Sequence, residues 1–240
     1  MNAIWAICRR DLHALFTSPL MWLVLAMWVA LVDVTFCWNI YALNGRSDQV
    51  PLFVGSLSSG ILFLTLLAPA ITMNSFAQER SHGTMQLLLT VPICEYQLVL
   101  GKFLAAFLTL VTLLIATLPQ PLALSVISAV PAPQLLAGYV GLLATCTLLA
   151  ALGVWISLLV DSPVSAYVIT FGVVAVLCII GWVGHDGPLQ PVSEHLGLTA
   201  RSSPFFAGDL RLGNLAYFLG GAAICLLMAH GSLCARRLHG

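Results

Sequence analysis

The sequence predicts an all-α membrane protein: six transmembrane helices, an N-terminal interfacial helix and a short cytoplasmic helix between the second and third spans. Three observations carry this. Of the 240 residues 60% are hydrophobic and only 8% charged, with a mean hydropathy of +1.01. Soluble domains carry roughly 25% charged residues, so a soluble fold of this size has no means of hiding so much apolar surface. The apolar residues also fall into runs of the length that crosses a bilayer, roughly 20 residues each. Finally, the 58 residues from Phe103 to Val160 contain no Asp, Glu, Lys or Arg, too long for one helix and enough for two.

The elements follow in order. Residues 3–16 read as an amphipathic helix, with Ile4, Cys8, Leu12, Leu15 and Phe16 on one side and Arg9, Arg10 and His13 on the other. Such a helix lies in the interface plane. Ser18-Pro19 turns the chain into the first span, Leu20 to about Leu43, whose only charge is Asp33. With no clear small-residue cleavage site after the basic pair, that run stays as a span rather than a signal peptide. The second span runs from Pro51 to about Ser75.

Charges then return in residues 76–97, with Glu79, Arg80, His82 and Glu95, and Lys102 follows at the start of the third span. Gly83 and Pro92 punctuate this segment around an apolar stripe of Met85, Leu88 and Leu89, which reads as a short helix, a turn and then the third span from Leu98. On the residues alone, it is either a docking element for a soluble partner or a solvated loop. The third span, 98–130, contains Pro119-Gln120-Pro121 and is expected to kink there, because proline removes a backbone donor. The VPAPQ hairpin leads to the fourth span, 135–160, and Asp161-Ser162-Pro163 to the fifth, 164–184. A more polar outer segment, 185–211, precedes the sixth span, 212–233. Residues Ser193 to Phe206 read as a short amphipathic or re-entrant helix there.

Orientation follows the distribution of Lys and Arg. With the N-terminus inside, Arg9, Arg10, Arg80, Lys102, Arg236 and Arg237 face the cytoplasm, and only Arg46, Arg201 and Arg211 lie outside. Both termini are therefore expected to be cytoplasmic. A net charge of zero gives no reason to expect nucleic acid. The seven cysteines form no C-x-x-C pair and read as small hydrophobes. His185-Asp186 and Glu194-His195 have the ligand types of a zinc or copper site but not the tight spacing, and are read as solvated loop residues, so no metal site is expected. Asp33 is either a pathway or interface group, as intramembrane ionisable residues often are, or a carboxylate near the outer water boundary. A six-span serine protease needs a G-x-S-G turn. Ser59-Gly60 could end one, but Leu57 stands where its first glycine belongs, so no catalytic residue is assigned.

The 76–103 segment resembles one family. Glu79, Arg80, Gly83, Thr84, Leu88, Leu89, Pro92, Gly101 and Lys102 follow the pattern E-(R/K)-x-x-G-T-x-x-x-L-L-x-x-P, then G-K, of the membrane permeases of type-2 ABC exporters. The N-terminal basic pair, the Ser-Pro before the first span and the six-span layout are similar too. The short length and the stretch from Ser193 to Leu219 look like the gliding-motility-associated and copper-maturation permease branch. The resemblance implies a bacterial inner-membrane permease, in which residues 76–97 form a cytoplasmic coupling segment seated on a separate ABC ATPase. Glu79, Arg80, Gly83 and Thr84 are then the ATPase-coupling site. It also implies a second copy or a related permease, and it admits a periplasmic accessory protein. The chain contains no G-x-x-x-x-G-K-[ST] loop, so it is expected to bind no cofactor itself, with ATP and Mg on the partner ATPase. The alternative is a scaffold that uses the same ATPase link to move force to an outer-face partner.

Overall fold

A computed structural model of the chain describes residues 3–42, 52–83, 94–127, 132–183 and 190–239. Among these the secondary structure is helical, and six helices are long and apolar enough to cross a membrane: Pro19–Tyr41, Val54–Ser81, Glu95–Ala123, Ala132–Leu159, Pro163–Trp182 and Leu212–Ala235. This is a multi-pass membrane protein. The fourth span is the hub: 78% of its apolar window is buried, against 22–28% for the first, fifth and sixth. The second, third, fifth and sixth spans all pack on it. Small residues allow the close approach. A Cβ on Gly153 of the fourth span would sit 2.1 Å from Thr72 Oγ1 of the second, so only glycine fits that crossing.

The second span carries Pro69 inside its helix and continues to Thr72. The chain then turns through residues 73–76 into a five-residue helix, Ala77–Ser81. The third span breaks where the proline pair predicts trouble: one helix covers Glu95–Ala116 and a second starts at Pro119 and runs to Ile127. The carbonyls left at the break find other partners. Leu113 O accepts from Trp28 Nε1 of the first span at 2.7 Å. Leu114 O accepts from the Thr117 hydroxyl at 2.7 Å, and Ile115 O from the Leu118 amide at 3.1 Å. A helix end in an apolar surrounding has to satisfy its last carbonyls in this way.

The N-terminal helix, Ala3–Thr17, packs along the start of the third span. Its seat is Gly101, where a Cβ would lie 2.8 Å from Ile7 Cγ2 and 3.2 Å from Ile4 O. At the other end of the bundle the polar segment forms two short helices rather than one, Gln190–Leu196 and Leu198–Phe206, meeting at Gly197. They pack on the fourth and fifth spans. Phe205 presses on Gly141, where a Cβ would be 2.6 Å from it, and Gln134 Nε2 donates to Phe206 O at 3.0 Å.

Candidate functional site

The Ala77–Ser81 helix is held from three sides. Its first amides need partners, because a helix start leaves N–H groups unpaired. Ser157, fully buried in the fourth span, supplies one: its Oγ accepts from the amides of Phe76 and Ala77 at 3.0 Å each and donates to Met73 O at 3.0 Å. One hydroxyl thus fastens the turn after the second span to the end of the fourth. Arg80 adds a second fastening. Its Nη1 donates to Leu158 O at 3.1 Å and Val160 O at 3.3 Å, and its other terminal nitrogen pairs with Asp161. A cation suits carbonyls at a helix C-terminus. Asp161 is 81% exposed, so that ion pair adds little by itself.

Glu79 points the other way, into a four-charge cluster. Lys102 of the third span is only 3% exposed and pairs with Glu79 Oε1 at 2.9 Å and Asp11 Oδ2 at 3.3 Å. Its Nζ also donates to Ser75 O and stands 4.8 Å from the centroid of the Phe76 ring. Arg10 of the N-terminal helix closes the cluster, with Nη2 3.1 Å from Glu79 Oε1 and 2.9 Å from Asp11 Oδ1. Two cations and two carboxylates sum to zero, which is what allows Lys102 to be buried. The two carboxylates also raise the Arg10 pKa above its usual range, against the opposing effect of its partial burial.

Gly83 ends the element with φ +69°, the left-handed conformation that follows a helix C-terminus, and its amide donates to Arg80 O at 3.0 Å. A Cβ there would meet nothing within 4 Å, so the backbone, not crowding, calls for glycine. Of the four expected coupling residues, Glu79, Arg80 and Gly83 therefore share one short element. Thr84, with Met85, Leu88, Leu89 and Pro92, lies outside the described residues. No pattern in the sequence marks Asp11, Ser157 or the carbonyl partners of Arg80 as part of this site. Lys102 belonged to the motif, but its ion pairs were not foreseen.

The remaining expectations fall elsewhere. Asp33 is exposed on the first span and accepts a hydrogen bond from Gln120, just past the break in the third. The Ser59 hydroxyl bonds back to its own helix at Gly55 O, 3.0 Å, and Ser56 O, 2.9 Å. Among the described residues no three His, Cys, Asp or Glu side chains converge as metal ligands would, and His185 and Asp186 lie outside them.

Residues 33–230 match the sequence profile of a family described as ABC-2 family transporter protein. Over 108 residues the chain is 35% identical to a "Probable ABC transporter permease protein NosY" of Pseudomonas aeruginosa, covering 43% of this chain and 38% of that protein. A protein of the same description from Stutzerimonas stutzeri is 32% identical over 107 residues, with the same coverage of 43% and 38%. The matched region thus spans less than two fifths of these relatives' length.

Proposed function

The chain belongs to the ABC-2 family of transporter proteins, and from that premise we propose that it is the membrane permease subunit of an ABC exporter, driven by a separate cytoplasmic ATPase that seats on the Ala77–Ser81 element. The carrying observation is that this one short helix is bonded to three others. Glu79 links it to Lys102 of the third span and Arg10 of the N-terminal helix, and Arg80 and the Ser157 bridge link it to the fourth. A force applied to a solvated loop would be lost in local motion. A force applied here reaches the hub span directly. ATP and Mg belong to the partner, since the chain carries no phosphate-binding loop of its own.

In this reading two copies, or one copy and a related permease, line the pathway. Their coupling elements move together as two ATPases close, in a bacterial inner membrane with both termini cytoplasmic. The gliding-motility or copper-maturation branch is part of the same proposal and rests on the 193–219 stretch. Force transmission to a periplasmic partner is the second reading. What favours it is the fourth span itself. Its cytoplasmic end holds the Ser157 bridge, and its other end holds Gly141 and Gln134 against the outer helices.

The test is the ATPase rate of the assembled complex relative to the ATPase alone, in Glu79→Gln and Glu79→Ala. Glu79→Gln keeps the side-chain size but loses the charge. Stimulation is expected to fall several-fold with the ATPase still bound and the permease still inserted. Normal stimulation in both variants would remove Glu79 from the coupling site.

A further inference from the structure

A cleft of about 580 Å³ opens beside the charge cluster, between the N-terminal helix, the start of the first span, the end of the second and the start of the third. Leu15, Leu20, Met21 and Ile71 form its apolar wall, and Arg10, Asp11, Glu79 and Lys102 its charged end, with His82 also lining it. The cleft's level in the bundle is fixed by the helix ends around it. The first span starts at Pro19, the main helix of the second span ends at Thr72 and the third span starts at Glu95. All three ends lie where the apolar run of a span gives way to polar residues, which is the depth of lipid headgroups. An apolar wall leading to a charged end at that depth has the polarity of a phospholipid, chain inward and headgroup outward.

The charged end has donors to spare. Lys102 is spent on Asp11, Glu79 and Ser75 O. Arg10 is not. Its Nε and Nη2 serve Asp11 and Glu79, its Nη1 makes no bond among the described residues, and its side chain is 54% exposed. A guanidinium has five N–H donors in a planar fork suited to phosphate oxygens. We propose that this cleft holds one glycerophospholipid of the surrounding leaflet, its phosphodiester on Arg10 Nη1 and an acyl chain along Leu15, Leu20, Met21 and Ile71. The bound lipid would fasten the N-terminal helix to the bundle at the coupling element. The inference needs only the membrane setting and stands apart from the ATPase reading.

Native mass spectrometry of the delipidated full-length chain tests it, with dioleoyl phosphatidylglycerol and dioleoylglycerol as probes. The wild type is expected to retain one phosphatidylglycerol per chain and to lose dioleoylglycerol. Arg10→Gln is expected to weaken retention about tenfold, the loss of one charge-assisted hydrogen bond. Ala14→Trp, at an exposed residue lining the cleft, is expected to block it while leaving the charges in place. Three results would overturn the proposal: equal retention of the two probes by wild type, displacement of the lipid by inorganic phosphate, or unchanged retention in a monodisperse Ala14→Trp variant.

Discussion

Lys102 is the residue on which the charged cluster turns. A buried ammonium is tolerable only while its carboxylates stay in place, and they in turn are mostly buried, at 18% and 19% exposure. Lys102→Met leaves the mostly buried Asp11 and Glu79 carboxylates with Arg10, which is 54% exposed, as their remaining cation in the cluster. Breaking a buried pair costs about 3 kcal/mol, and for a chain of this size that lowers the unfolding midpoint on the order of 6–12 °C. Thermal unfolding in detergent checks it, and a midpoint unchanged within a degree would show that the pairs hold nothing. The sequence revealed part of this site. Glu79, Arg80, Gly83 and Lys102 stood out because charges inside an apolar chain are conspicuous and their spacing matches a family pattern. Nothing in the local sequence singles out Asp11, because its partner Lys102 is 91 residues away. No local pattern reports a contact at that separation.

At the scale of elements, the Ala77–Ser81 helix is too short to be stable by itself. It persists because Ser157 and Arg80 supply what its ends and neighbours lack. Ser157→Ala removes the acceptor of two buried amides, at a cost of about 1–3 kcal/mol. The amides of residues 76–81 are expected to exchange hydrogen faster in that variant while the fourth span's own amides do not. Equal exchange in wild type and variant would mean the bridge is incidental. Ser157 could not be picked out beforehand, since a serine in a membrane helix usually bonds back to its own backbone, as Thr145 does to Gly141 O. The long helices were legible from length and hydropathy, and the break in the third from its prolines. The division of the outer segment at Gly197 was not. It depends on Gly197 lying against Gly181, where a Cβ would be 2.5 Å from Gly181 Cα, a tertiary contact the sequence does not announce.

For the whole molecule, the spans divide into a buried hub and an exposed perimeter. The fourth span touches the Ala77–Ser81 helix at one end, and the Gln190–Leu196 and Leu198–Phe206 pair lies against its other end and the fifth span, so a displacement at either end has a packed route to the opposite face. Lipid or a second permease is expected to cover the exposed faces of the first, fifth and sixth spans. The proposed topology puts the Ala77–Ser81 helix on the cytoplasmic side, and His82, exposed beside it, is the position to probe. With Cys37, Cys94 and Cys234 replaced, His82→Cys is expected to react with an impermeant maleimide in inverted vesicles and not in spheroplasts. Cys8 is fully buried, and its thiol pKa is pushed up by that burial and by the nearby Asp11, so it should stay silent. Labelling from the outside would reverse the map. The same cysteine tests the ATPase contact when it is cross-linked in native membranes and the captured protein is sequenced. A cytoplasmic ATPase carrying a G-x-x-x-x-G-K-[ST] loop is expected to be captured at position 82 and not from a cysteine placed at Ser203 in the Leu198–Phe206 helix. Capture of that ATPase only from Ser203→Cys, or of no ATPase from either site, would contradict that contact.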